Sequence, residues 1–370
     1  MTLGISGMGW VTPLGSGLEP VWKRLLQGDE ATASEIAGQE NTRSYSAFRV
    51  PPEATADAPA HPRLRRSSAI SRFAVVAGLA ALKDADVTMT DEIAARTALI
   101  FAISNGGVVY TKRFYHEVVE SGAHAASPLL FPETVFNAPA SHLAAILGIT
   151  GASYTLVGDG AVGILAVKMA EDMMQAGELD HCLVVGAEEV DWLTCDAYRR
   201  WRLLRLAPPI EPFASAPRGM ILSEGAGALL LTRDGATRIN KIAAGTNFKR
   251  QREAAACVSD VFAELGDTKV DLVVGSANGT FIDAAETAAT REHFSNAALY
   301  TLKPALGESV GASAIWQIIC GAQAMRERTS PPLLHAPASA RPLRGSSSWH
   351  VIVSACGLNQ QDAGLRLGSD

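Results

Sequence analysis

Five short apolar runs, each closing on a turn of small residues, constrain the fold of this chain more than any other feature. They are Ala98–Gly107, Tyr154–Gly160, Cys182–Ala187, Leu272–Ser276 and Val351–Gly357. Short, often β-branched and nearly free of charge, they predict strands buried on both faces. Helix-length segments lie between them. Ile70–Asp84 is almost wholly apolar as far as Lys83. Val162–Ala176 carries Lys168, Glu171, Asp172 and Gln175 at i, i+3, i+4 and i+7, a narrow polar stripe on a helix otherwise buried. Strands alternating with buried helices predict a layered α/β protein with helices between sheets. Val184-Val-Gly-Ala recurs as Val273-Val-Gly-Ser, which hints at two related halves joined near Thr232–Arg238, spanning 1–235 and 236–370. Loops are expected at Pro51–Pro62, Ala207–Pro217 and Thr329–Ser348, the last with Arg341 and Arg344.

Composition narrows the function classes. The 38 acids outnumber the 32 lysines and arginines, leaving a net charge of −6, so neither nucleic acid nor an anionic membrane is an expected partner. The five cysteines (Cys182, Cys195, Cys257, Cys320 and Cys356) form no C-x-x-C pair, which argues against a disulfide framework or a zinc site and for a reducing compartment. No basic segment precedes the first apolar one, so a secretory signal is not expected. The uncharged stretch Thr134–Gly158 reaches membrane length, but Asn137, Pro139, Ser141, His142, Gly148 and Gly151 break it into short elements of a protein interior. A cytoplasmic protein is the expectation.

The most informative local feature is Tyr154–Val157 followed by Gly158-Asp159-Gly160 and a helix from about Val162. A strand passing through a sharp glycine turn into a buried helix is the geometry of a nucleophile elbow, where the helix's free N–H groups stabilise a thiolate or an oxyanion. The turn holds neither Cys nor Ser. Its one reactive side chain, Asp159, reads first as a cap on the helix.

Several further segments, in order and spacing, resemble the β-ketoacyl-ACP synthase family. Ile5–Gly15 (Ile-Ser-Gly-Met-Gly-Trp-Val-Thr-Pro-Leu-Gly) with Trp22 and Leu25–Gly28 is similar to the family's opening strand and loop. Phe131–Ser141 and Leu147–Gly151 resemble the segment before its nucleophile. Pro212-Phe213 and Arg218–Gly227 resemble its P-F…R-x-G…G-E-G-A-G stretch. Leu302-Lys303, Gly307 and Gly311-Ala312 fit its K-S-x-x-G-H-x-x-G-A segment. The resemblance covers nearly the whole chain and implies a thiolase-like layered α-β-α-β-α fold of two related halves.

The resemblance also marks what has changed. Where the family has a cysteine in A-C-A-x-G, this chain has Gly160, in Asp159–Gly163. Asn278 takes the place of the first histidine, in H-G-T-x-T. Thr280 follows it, but the second threonine is absent and Asp283 and Glu286 come after a short deletion. Glu308 takes the place of the second histidine, and Lys303 remains. The family's C-terminal G-F-G-G loop corresponds to Gly357-Leu358-Asn359-Gln360. In the family, the cysteine carries the acyl thioester, while the histidines assist malonyl decarboxylation and stabilise the enolate. Gly160 cannot be acylated, Asn278 is no base, and an ionised Glu308 has the wrong sign for an enolate. None of the eight histidines shows metal-ligand spacing. His142 is expected to pack in a helix and His181 to lie at the surface ahead of a strand. Cys356 reads as a small buried hydrophobe beside the C-terminal loop, and Lys303 as a side chain holding neighbouring turns.

The resemblance therefore implies a chain-length-factor-type partner of an active ketosynthase in polyketide, aryl-polyene or fatty-acid synthesis. In that arrangement the strand before the elbow pairs across the dimer axis. Val135, Phe136 and Asn137 reach toward the partner's acyl tunnel, and Asp159, Thr280, Cys356 and Leu358 line a pocket or interface. An acyl carrier protein is an indirect partner, and no metal or dissociable cofactor is expected. Two alternatives remain open: an acyl-thioester enzyme with altered chemistry through Asp159, Lys303, Asn278 or Glu308, and a homodimeric acyl-binding scaffold.

Overall fold

The charge-free runs form strands, and a computed structural model describes residues 3–39, 43–266, 269–337, 349–359 and 361–368. Arg341, Arg344 and Gln360 lie outside the described residues, as does much of the loop expected at Thr329–Ser348. The strands are β1 (Leu3–Thr12), β2 (Gly15–Ser16), β3 (Ala33–Ala37), β4 (Ser44–Phe48), β5 (Thr97–Ile103), β6 (Ser153–Val157) and β7 (His181–Glu188). They continue with β8 (Leu222–Ser223), β9 (Gly225–Thr232), β10 (Thr237–Ala243), β11 (Leu272–Val274), β12 (Ala298–Tyr300), β13 (His350–Cys356) and β14 (Asp362–Gly368).

Hydrogen bonding runs in the order β12-β11-β13-β14-β10-β1-β9-β7-β5-β6. The path reads identically from its two ends. β6, β5 and β7 pair in parallel, as do β12, β11 and β13, and β9 and β14 then join antiparallel. β1 and β10 complete the two halves and meet in a short antiparallel contact, Leu3↔Ile239 to Ile5↔Thr237. Each half is thus a mixed sheet of the same topology, related by a pseudo-twofold between β1 and β10. The echo of Val184-Val-Gly-Ala in Val273-Val-Gly-Ser falls on β7 and β11. These hold different places in the two halves, so that motif is not the trace of the repeat.

Helices separate and cover the halves. Val162–Gln175 and Val310–Glu327 lie between them, the latter against β7 and β9 on one side and β11 and β13 on the other. Every residue from Val310 to Ala324 is buried, as a helix enclosed on all sides requires. Ala69–Asp84 packs on the outer face of β1, β9 and β7, and Ala254–Leu265 on the outer face of β14 and β10. The result is five layers, helix–sheet–helix–sheet–helix. One core cluster fills the centre and one lies under each outer helix layer.

One strand departs from expectation. β6 is not buried on both faces but is the outermost strand of its half, with Ser153, Tyr154 and Val157 exposed. His181, placed ahead of a strand by sequence, opens β7 and is half-buried. No helix among the described residues is long and apolar enough to cross a membrane.

Candidate functional site

β6 delivers the chain into the turn 158–161 and then into the central helix Val162–Gln175. The Gly158 N–H is held by Ile103 O at 3.0 Å, and the Val162 N–H by Asp159 O at 2.8 Å, so the elbow is tied to its neighbouring strand and to its own helix. Gly160 sits at this turn without a positive φ. Its lack of a side chain answers to crowding instead. A Cβ built there would lie 3.2 Å from Gly357 Cα.

The Asp159 carboxylate does not cap the helix, whose N-cap Ala161 receives no side-chain hydrogen bond. It accepts the Asn359 N–H, with the N–H groups of Leu358 and Gly160 also directed at it. The expectation of a helix cap is corrected: the chain returns from β13 past the elbow, and its free N–H groups take the carboxylate first. Burial pushes the Asp159 carboxyl up, opposed by these N–H donors.

A second cluster forms behind the elbow from the turn after β11 and the start of the helix Val310–Glu327. Glu308 is its hub. Its Oε1 accepts Lys303 Nζ at 2.7 Å and Ser313 Oγ at 2.8 Å, and its Oε2 accepts Asn278 Nδ2 at 2.8 Å. Asn278 Oδ1 in turn accepts the Thr280 hydroxyl at 2.6 Å. Asn278, Thr280, Lys303 and Glu308 are all buried. Burial pushes the Lys303 ammonium pKa down, opposed by Glu308. Lys303 therefore neutralises Glu308, and does not serve mainly as a tie between turns. A buried lysine meets a carboxylate five residues on before it meets any carbonyl.

The backbone carrying Asn278 is fixed by two carboxylates from the next helix, Ile282–His293. Asp283 Oδ1 accepts Asn278 N at 2.8 Å and Gly279 N at 3.0 Å, while its Oδ2 accepts Phe213 N at 2.7 Å. Glu286 accepts Ser276 N at 2.8 Å and Ala277 N at 2.9 Å. Both carboxyls are pushed up by burial and pulled back by these donors. Ser276 Oγ then accepts the Cys356 N–H at 2.9 Å. Cys356 is buried and its thiol pKa is raised by that burial, which disfavours the thiolate. Leu358 is buried in the outer core of the second half.

A cleft of about 490 Å³ opens on the outer side of the elbow, lined by Asn105, Asp159, Thr194, Tyr198, Trp201 and Gln361 among others. Of the residues named from sequence, Asp159 lines it with its elbow neighbour Gly158 and with Asn359 of the C-terminal loop; Gly160, Asn278, Thr280, Lys303, Glu308, Cys356 and Leu358 do not. Sequence reasoning missed Asn105, Tyr198, Trp201 and Gln361. Asn105 stands in the small-residue turn after β5, a signal in hindsight. Tyr198 and Trp201 lie along and just beyond the helix Trp192–Arg200, with no local mark of a pocket.

Val135, Phe136 and Asn137 lie on the surface. Val135 and Phe136 are 40% and 46% exposed, and Tyr154 and Val157 of the edge strand are 48% and 52% exposed. The helix Val108–Ser121 buries none of its residues, despite Val108, Val109, Phe114, Tyr115, Val118 and Val119. His142 follows in a helix, as expected, with Nε2 2.7 Å from Glu133 Oε1. Among the described residues no group of three His, Cys, Asp or Glu side chains is arranged to hold a metal.

Comparison with known proteins agrees with this architecture. Residues 2–236 match the sequence model of the beta-ketoacyl synthase N-terminal domain, and residues 232–337 that of the C-terminal domain. The chain is 26% identical over 357 residues to Nodulation protein E of Rhizobium leguminosarum bv. trifolii, covering 89% of this chain and 87% of that one. It is 25% identical over 234 residues to 3-oxoacyl-[acyl-carrier-protein] synthase 2 of Vibrio harveyi, covering 61% of this chain and 56% of that one. Among solved structures, the ishigamide ketosynthase/chain length factor superposes with a TM-score of 0.86 at 20% identity, over 100% of this chain and 99% of that one. The ketosynthase ApeO in complex with its chain length factor ApeC from Xenorhabdus doucetiae gives 0.78 at 19% identity, over 100% and 98%. These structures share the thiolase-like fold described above, and by its sequence matches the chain belongs to the β-ketoacyl synthase family.

Proposed function

We propose that this chain is a family member without condensing activity, acting as the chain-length-factor-type partner of an active ketosynthase in polyketide, aryl-polyene or fatty-acid synthesis. The observation that carries the reading is the sealed Lys303–Glu308–Asn278 cluster. Condensation in the family needs a thiolate to hold the acyl group and two imidazoles to bind the thioester carbonyl and assist decarboxylation. On the residue correspondence drawn from sequence, those three places hold Gly160, Asn278 and Glu308. Glu308 spends its lone pairs on Lys303, Ser313 and Asn278, and Asn278 spends its amide on Glu308 and Thr280. The cluster thus ties Lys303, Glu308 and Asn278 to one another in a buried position, and Gly160 offers no atom to acylate.

The partner role draws support from the surface. A sheet edge that no strand among the described residues covers, bearing Tyr154 and Val157, together with exposed Val135 and Phe136 and a helix with no fully buried residue, is a face suited to burial against a second subunit. Val135, Phe136 and Asn137 then border the partner's acyl tunnel, where apolar volume limits chain length by packing alone. The carrier protein delivers its chain to the active subunit and meets this one indirectly. The assembly acts in the cytoplasm, and the segments 1–235 and 236–370 serve as its two ketosynthase-like halves.

The test is co-expression with an active ketosynthase encoded beside this chain. The expected result is a stable heterodimer in which condensation requires both chains while only the ketosynthase becomes acylated. If the two never co-purify and the ketosynthase is fully active alone, the reading fails. An acyl adduct on this chain, isolated free of other proteins, also refutes it.

A further inference from the structure

The elbow and the C-terminal segment interlock from both sides. Asp159 accepts the Asn359 N–H, with the N–H groups of Leu358 and Gly160 directed at it, while its own N–H donates to Gln361 Oε1 at 2.8 Å. The Gly357 N–H closes a turn onto Gln361 O at 2.7 Å, which presents these groups together. The fit leaves no slack. A Cβ on Gly357 would lie 2.1 Å from Asp159 Oδ2, one on Gly158 would lie 2.7 Å from Gln361 Oε1, and one on Gly160 would lie 3.2 Å from Gly357 Cα. Asp159 itself is buried between the cleft and this segment, so losing its donors leaves a carboxylate without compensation.

We propose that Asp159 is a latch that seats Gly357, Leu358, Asn359 and Gln361 on the elbow and shuts this subunit's own acyl site. The inference rests on the reading of the chain as a non-condensing partner and adds how its site is closed. The absence of a cysteine leaves no reactive atom, while the latch holds Gly357 Cα 3.2 Å from where a side chain at position 160 would begin. Asp159 is in this sense a positioning residue, acting through the backbone of residues 357–359.

The test puts a reporter thiol at the elbow with Gly160→Cys, the buried native cysteines giving the background. Alkylation by iodoacetamide is followed by mass spectrometry across pH. The plateau rate above the thiol's own ionisation reports access and not charge. That plateau is expected to be low in G160C and to rise in D159A/G160C by roughly ten- to a hundredfold, the equivalent of one charge-assisted hydrogen bond. In D159N/G160C it returns toward the G160C value, because asparagine keeps an acceptor oxygen. Equal plateau rates in G160C and D159A/G160C, or an asparagine variant as open as the alanine one, overturn the latch. Hydrogen exchange on chains that keep Gly160 decides the matter without the cysteine. The Leu358 and Asn359 amides are expected to be protected, and to exchange about ten times faster or more in D159A. Unchanged exchange refutes the latch. Co-purification with the ketosynthase stays a separate readout: failure to pair with the amides still protected counts against the partner reading and leaves the latch standing.

Discussion

Removing Lys303 while leaving Glu308 in place tests the sealed cluster most directly. The two groups are 2.7 Å apart, with side chains only 3% and 5% exposed. At that separation two unit charges in an effective dielectric of about 20 attract by roughly 6 kcal/mol, and withdrawing each ion from water costs several kcal/mol. The pair is therefore close to neutral in net stability, yet taking out one partner strands the other. Lys303→Met is expected to cost about 3–5 kcal/mol, and Glu308→Leu a similar amount. The double variant has no stranded ion. It still leaves Asn278 Nδ2 and the Ser313 hydroxyl without their acceptor, at about 1–3 kcal/mol each. Its cost should fall short of the sum of the singles by at least ~2 kcal/mol. Urea denaturation of the four chains, with midpoints compared at unchanged slope, measures this coupling. Additive singles costing under about 1 kcal/mol each would mean that water reaches Glu308. The cluster would then be an open polar site, and the reading of it as buried and self-paired would collapse.

Three further outcomes follow from the geometry. Gly357→Ala should destabilise the chain by about 1–3 kcal/mol, because its Cβ meets Asp159 Oδ2 at 2.1 Å, and by clearly less in an Asp159→Ala background; equal costs in both would show that the contact is elsewhere. Burial, then the charge of Glu224, pushes the Glu189 carboxyl from its usual 4.5 up to about 7. A raised native pKa gives stability that is complete below 4.5 and is lost as the pH rises through 7, so denaturation at pH 5.5 and pH 8 should differ by an amount that shrinks by roughly 2 kcal/mol in Glu189→Gln. An unaltered pH slope in that variant would count against the assignment. Tyr154→Lys with Val157→Lys puts charge on the free edge of β6, and should abolish co-purification with the ketosynthase while moving the chain's own stability by about 0.5 kcal/mol or less. Undiminished pairing would place the interface on another face.

The local elements were legible because their causes are local. Apolar period and small-residue turns are enough to mark β5, β7, β11 and β13, and the helices Ala69–Asp84 and Val162–Gln175, within a residue or two. β6 misled because its composition matches that of a buried strand. Burial depends on what lies on its outer side, and among the described residues no further strand pairs there. The repeat was inferred correctly from the wrong residues, since Val184-Val-Gly-Ala and Val273-Val-Gly-Ser occupy non-equivalent strands and the true symmetry is one of pairing order.

From the order of residues alone came the layered α/β class, the strand–turn–helix elbow, and the absence of any sulfur or hydroxyl in its turn. Only the folded chain decided where Asp159 and Lys303 spend their charges. Asp159 meets the backbone some two hundred residues away, and Glu308 meets Asn278 thirty residues back. A side chain's hydrogen-bond partner is set by which segments the sheet order brings within 3 Å, and that order is a property of the whole chain's packing rather than of any window along it.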